Sequence, residues 1–188
     1  MAWAYGRAVV LDDEDGEAWF QLAAAEARRH QFDLAERSLS RATELNPVRP
    51  GILFLRGWIR EGLGQPADAI RLYSQHLEIH PHDQVTRRRL VNLLGRERRY
   101  AEAFREAQIV SAAEPDDIGV LEVTTDLAFR SKHSAEGKKL LAELETRAES
   151  DPDMVLRVVG LMARNDQNKA AVEYADAWAA RHPDDSRG

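Results

Sequence analysis

The chain has 188 residues, 44% hydrophobic and 31% charged, with a formal net charge of −6. That composition can bury a core and excludes a disordered or low-complexity chain, while the acidic balance argues against bulk nucleic-acid binding. Cysteine is absent, which removes a disulfide frame, a thiolate zinc site and a cysteine nucleophile.

No apolar run approaches the roughly eighteen residues of a membrane span, and Met1-Ala2-Trp3-Ala4 lacks the basic start of a signal peptide. Localisation stays open between the cytoplasm and a bacterial periplasm.

The prolines define the elements. Pro47, Pro81 and Pro115 are 34 residues apart, Pro183 lies two further periods on, and Pro50 and Pro152 share a second register three periods apart. A fixed period near 34 predicts an array of helix–turn–helix units. In this phase residues 1–15 are the second helix of a partial preceding unit. Tyr5 and Ala8 stand at the places later held by Leu39 and Ala42, and Asp12-Asp13-Glu14-Asp15 forms the following turn. Five units follow without insertion: 16–49, 50–83, 84–117, 118–151 and 152–185. Beginning in mid-unit, the chain is expected to be a segment of a longer array.

In unit 16–49, Trp19, Leu22, Ala23, Phe32, Ala35, Leu39, Ala42 and Pro47 follow the spacing W-x2-L-A-x8-F-x2-A-x3-L-x2-A-x4-P. Unit 50–83 keeps Gly57, Gly64, Ala69, Tyr73 and Pro81, and unit 84–117 keeps Leu90, Tyr100, Ala103 and Pro115. Unit 118–151 is weaker, with Leu121, Gly137, Leu141 and Leu144, and Glu149 in place of the proline. Unit 152–185 is degenerate, with Val158, Val159, Ala171, Trp178 and Pro183. Small residues at Ala23, Ala35, Gly57, Ala69 and Ala103 allow close helix approach, and Trp19, Phe32, Leu39 and Tyr73 fill the space beside them. Each closing proline ends its helix, while Pro50 and Pro152 are expected in the first turn of the next helix.

These residues closely resemble the tetratricopeptide repeat (TPR). The resemblance implies an all-α, right-handed α-solenoid whose first helices line a concave groove that holds an extended peptide or a partner helix. Carried over by phase, it places Phe20, Phe54, Trp58, Arg88, Asn92, Glu122, Asp126 and Phe129 in that groove. It implies a non-catalytic protein–protein interaction scaffold whose partner is a protein or peptide. Two alternatives accompany it: a periplasmic segment of a bacterial exopolysaccharide secretion or envelope complex, and an accessory array of a larger enzyme. Phe54 and Trp58, one turn apart, share a helix face and form either an aromatic platform for a partner or ordinary core.

Other features read more simply. Arg28, Arg96, Arg130 and Arg164 recur near the ends of four first helices. They form a candidate basic edge, although a cation complementing each helix dipole needs no ligand. The carboxylate clamp of some family members, built from two Lys, two Asn and an Arg, is missing. Units one to three offer Phe20, Ala24, Leu55, Val85 and Arg89 there. Units three to five offer Arg88, Asn92, Val123, Asp153 and Arg157, and Asp153 would repel a carboxylate.

Arg87-Arg88-Arg89 with Arg96, Arg98 and Arg99 makes a local basic stretch, but consecutive residues point around a helix and nucleic acid is disfavoured. His76 and His80 have the i, i+4 spacing of metal ligands. His76 nevertheless falls at a core place and His80 in a turn, so no metal and no cofactor is expected. No phosphate loop, G-x-S-x-G or H-E-x-x-H is present. The acid pairs Asp12/Asp13, Asp116/Asp117 and Asp184/Asp185 read as helix starts and loops. Trp3 and Trp178 are expected to face missing neighbours at the two ends, making uncapped ends a candidate route to self-association.

Overall fold

The computed structural model describes residues 2–149 and 151–183, and every regular element among them is an α-helix. In order these are α1 (Ala2–Leu11), α2 (Gly16–Arg28), α3 (Phe32–Leu45), α4 (Ile52–Gly62), α5 (Pro66–Ile79), α6 (Gln84–Arg96), α7 (Tyr100–Ala113), α8 (Ile118–Arg130), α9 (Ser134–Ala148), α10 (Pro152–Arg164) and α11 (Asn168–Arg181). They form two compact units, Met1–Leu93 and Leu94–Gly188. In the first, α2 packs on α1, α3 and α4, and α4 on α5; in the second, α8 packs on α7 and α9, and α10 on α9 and α11.

The same local chemistry recurs every 34 residues. Asp15, Asp83, Asp117 and Asp151 each cap a first helix by accepting the backbone N–H three residues on, from Ala18, Thr86, Val120 and Met154. This satisfies a donor that the helix cannot. At the intervening place stands Arg49, which cannot accept. There Gly51 adopts φ +88° and carries no side-chain cap. Pro50 consequently lies in the turn ahead of α4 and not in its first turn, whereas Pro152 does open α10 as expected.

The turn inside each helix pair repeats with equal regularity. His30, Gly64, Arg98, Lys132 and Asp166 all have φ between 58° and 70°. One residue later, the N–H of Gln31, Gln65, Arg99, His133 and Gln167 donates back to the carbonyl of Glu26, Arg60, Leu94, Ala128 and Met162, at 2.8 to 3.0 Å. This is the bond that closes a helix through a left-handed residue.

Packing joins small residues to large ones. Ala23, Ala27, Ala35, Leu39, Leu55 and Ile59 are buried together in the first unit, with Phe20, Phe32 and Trp58 against them. A separate cluster of Val9, Ala18 and Leu22 secures α1, helped by Tyr5, Ala8 and Trp19. In the second unit Leu121, Leu141, Leu144, Val158, Leu161 and Met162 form the core.

Trp178 belongs to that core, which corrects the expectation that it would face a missing neighbour. It is 3% exposed, its Nε1–H donates to the Glu149 carbonyl at 3.2 Å, and its ring stacks on His182 at 4.3 Å. The ring at a place meant for alanine is buried in the cluster that Leu141, Leu144 and Ala148 of α9 form with residues of α10. Trp3, at 75% exposure, does lie open on α1, as do Val10 and Leu11.

Candidate functional site

The expected groove residues divide between the two units. In the first, Phe54 and Trp58 stand half-buried on the same side of α4, one turn apart. Phe54 lies beside Tyr73 and His76, with ring centroids 6.1 and 6.0 Å away. Trp58 packs against the α2–α4 core. Arg89, from α6, spans both rings: its guanidinium is 4.9 Å from the Trp58 centroid and 6.0 Å from that of Phe54. Such stacking places a cation on the negative face of a ring.

Arg89 is held from below by Glu61 at 3.4 Å, and the Tyr73 hydroxyl donates to the same carboxylate at 2.9 Å. Burial, with the Glu61 charge beside it, pushes the Tyr73 phenol well above its ordinary pKa, so it stays a neutral donor.

Phe20 is closed off differently. The Arg49 guanidinium sits 3.2 Å from its ring centroid and grips Glu17 through two bonds of 2.6 and 2.7 Å. Hydrogen bonds from Arg49 and Gln21 hold the Glu17 carboxyl down at about 2. Of the three adjacent arginines, Arg87 is buried and donates to the Pro81 carbonyl at 2.7 Å, Arg88 is half-buried, and Arg89 takes the aromatic pair. Steps of about 100° around a helix send them to three surroundings. Asn92 is exposed on α6.

In the second unit the corresponding residues are engaged within the protein. Glu122 accepts from Arg157 at 2.8 Å. Asp126 pairs with Arg130 at 2.7 Å and accepts from Asn165 at 3.0 Å. Phe129 is half-buried, with its ring against Gly137, where an added Cβ would lie 2.9 Å away. The candidate edge residues Arg28, Arg96, Arg130 and Arg164 each end a helix: α2, α6, α8 and α10. All four are exposed, and Arg130 also stands 5.5 Å from the Tyr100 ring.

His76 is buried, with Nε2 2.9 Å from Asp83 and its ring against His80. Burial pushes the Asp83 carboxyl up, but the Thr86 hydroxyl and amide and the His76 ring outweigh it and hold it low. Among the described residues no group of three His, Asp or Glu is arranged to hold a metal, and no helix is long and apolar enough to cross a membrane.

Glu61, Arg49 and Glu17 were not singled out from the sequence, and Arg89 stood out there only as part of a basic stretch and at a clamp place. Their pairings join residues 28 and 32 apart, and no local pattern marks them.

No protein-family model matches this sequence, and no curated protein matches it. Solved structures do. YrrB, a TPR protein with an unusual peptide-binding site, superposes with a TM-score of 0.73 at 16% identity, covering 100% of this chain and 96% of that one. MamA from Desulfovibrio magneticus RS-1 gives 0.68 at 18% identity, over 91% and 97% of the two chains. PilF of Pseudomonas aeruginosa gives 0.59 at 20% identity, over 89% and 77%. At such identities the likeness is one of architecture: the chain has the all-α solenoid fold of the tetratricopeptide-repeat proteins.

Proposed function

We propose that the chain is a non-catalytic interaction scaffold of repeats 16–49, 50–83, 84–117, 118–151 and 152–185, which takes a peptide or a partner helix on the first helices α2 and α4 and the part of α6 within its first unit. The observation that carries this reading is the half-exposed Phe54–Trp58 pair with Arg89 laid across it. Aromatic and arginine side chains are the types that concentrate binding energy at interfaces. Exposed Asn92 and half-buried Arg88 lie on α6, the helix that sends Arg89 across the pair. YrrB, which shares the fold, has a peptide-binding site. Glu122 and Asp126 are already paired with Arg157 and Arg130, and Asp126 also accepts from Asn165, which favours the first unit as the anchoring part.

The test is affinity capture with the chain as bait, repeated with Trp58→Ala and with Arg88→Glu. Both variants are expected to lose the captured partner by about tenfold or more, the size of an interface hot spot. Thermal melting monitors folding, and Arg88→Glu decides alone if Trp58→Ala melts early. Equal capture by wild type and both variants overturns the reading.

A further inference from the structure

The turn joining α3 to α4, where Arg49 replaces the recurring Asp cap, borders a pocket of about 480 Å³ inside the first unit. That volume lies within the range of about 300–1,000 Å³ typical of sites that enclose a small ligand or side chain. Its apolar surface comes from Val48, Ile52, Leu53 and Ile79 with Pro47 and Pro50. Val48 is 86% exposed and Ile79 64%, so the rim itself offers apolar surface to solvent. None of the residues that line the pocket is acidic.

The nitrogen-bearing side chains there differ in how they are occupied. Arg49 is committed to Glu17 and the Phe20 ring. His76 is committed to Asp83. Arg56 donates to the Thr43 hydroxyl at 2.8 Å and has no carboxylate partner among the described residues. A half-buried guanidinium beside an open apolar pocket is complementary to a carboxylate that arrives with an apolar group.

We propose that this pocket is a second docking site, separate from the first-helix face, for a partner segment in which an aliphatic side chain adjoins an acidic one. The aliphatic group enters between Val48, Leu53 and Ile79, and the carboxylate accepts from Arg56. None of these four residues belongs to the set assigned to the first-helix face; Arg49 and His76 of the pocket wall do touch Phe20 and Phe54 of that set, so the variants used to test the pocket leave both untouched.

The probe is the capped peptide acetyl-Gly-Leu-Glu-Gly-amide, titrated into the isotope-labelled chain and followed by amide chemical shifts. Shifts are expected at residues 47–56 and 76–80, with millimolar affinity of the order of a single anchored side chain. Peptides carrying Ser for Leu, or Gln for Glu, are expected to bind at least about fivefold more weakly, since each removes one half of the complementarity. The Arg56→Gln chain should bind the Glu and Gln peptides alike, and Val48→Ser on the exposed turn should weaken all three.

The amide spectrum itself reports whether each variant is folded. The proposal is overturned if no shift appears at these amides, or if the three peptides bind equally. It is also overturned if the Glu-over-Gln preference survives Arg56→Gln, or if a Lys-for-Glu peptide binds more tightly. Concentration-dependent shifts at the same amides without peptide would assign the pocket to a second copy of the chain and equally overturn it.

Discussion

The two units solve one packing problem in opposite senses. In the first, Gly57 on a first helix receives the ring of Tyr73 from the second helix of its pair; an added Cβ would lie 2.7 Å from that ring. In the second, Gly137 sits on a second helix and receives Phe129 from the first. Close helix approach needs a missing Cβ on one side and a large flat group on the other, and either helix can supply either part. The difference lies in what holds the ring. Tyr73 is fully buried and tied by its hydroxyl to Glu61, while Phe129 is half-buried and has no polar atom to anchor it. The ring in the first unit is thus held by a hydrogen bond as well as packing, and the ring in the second by packing alone.

Removing the rings is the strongest way to break this contrast. Tyr73→Ala is expected to cost about 3–5 kcal/mol in urea unfolding, the range for a buried aromatic. Phe129→Ala is expected to cost clearly less, because its ring is partly solvated in the folded state. Equal losses would remove the distinction between the units.

Adding the missing methyl comes next. Gly57→Ala should destabilise by about 1–3 kcal/mol through overpacking against a ring that cannot move. Gly137→Ala should be near neutral, since Phe129 can swing aside and alanine gains about 1 kcal/mol of helix propensity. Denaturation midpoints of the two variants decide the matter.

The left-handed turns sharpen the comparison at a smaller scale. Gly64 occupies its φ of 70° without strain, whereas Arg98 and Lys132 hold similar angles with a side chain. Lys132→Gly is expected to stabilise by up to about 1 kcal/mol, and Gly64→Ala to destabilise by about as much. Thermal melting reads both.

The smallest effect is electrostatic. Glu17 has its pKa lowered in the folded chain, from 4.5 to about 2, chiefly by Arg49. Its contribution is therefore complete above the ordinary carboxylate range and disappears as pH falls through 4.5 towards 2. The Glu17 side chain is 58% exposed, so Glu17→Gln should cost only about 0.2–1 kcal/mol at neutral pH. Wild type and variant should converge as pH falls through 2; a difference that persists below it would show that Glu17 acts through packing.

Much of this architecture was legible in the chain itself. The prolines carry a period of 34, and the Trp19–Leu22–Ala23 and Phe32–Ala35–Leu39 patterns mark which faces are buried. Gly64 announced one of five left-handed turns. The other four, at His30, Arg98, Lys132 and Asp166, were hidden because their geometry is imposed by the carbonyl-to-amide bond that closes the preceding helix. Trp178 read as an exposed end residue, and only the placement of α9 and α10 around it revealed a buried one.

The candidate site divides in the same way. Phe54 and Trp58 were identifiable from helical phase, but whether they stood open or covered depended on a third group. Three consecutive arginines were available, and no feature of the sequence distinguishes Arg89 from its neighbours; Glu61 and Tyr73 select it in space. By itself the sequence determined the repeat length, the helical class and the burial pattern, because these follow from local sterics and hydrophobic periodicity. Tertiary structure alone decided which rings are capped, that Glu17, Glu61 and Glu122 are paired, and where a pocket opens, because those depend on residues about 30 positions apart meeting across packed helices.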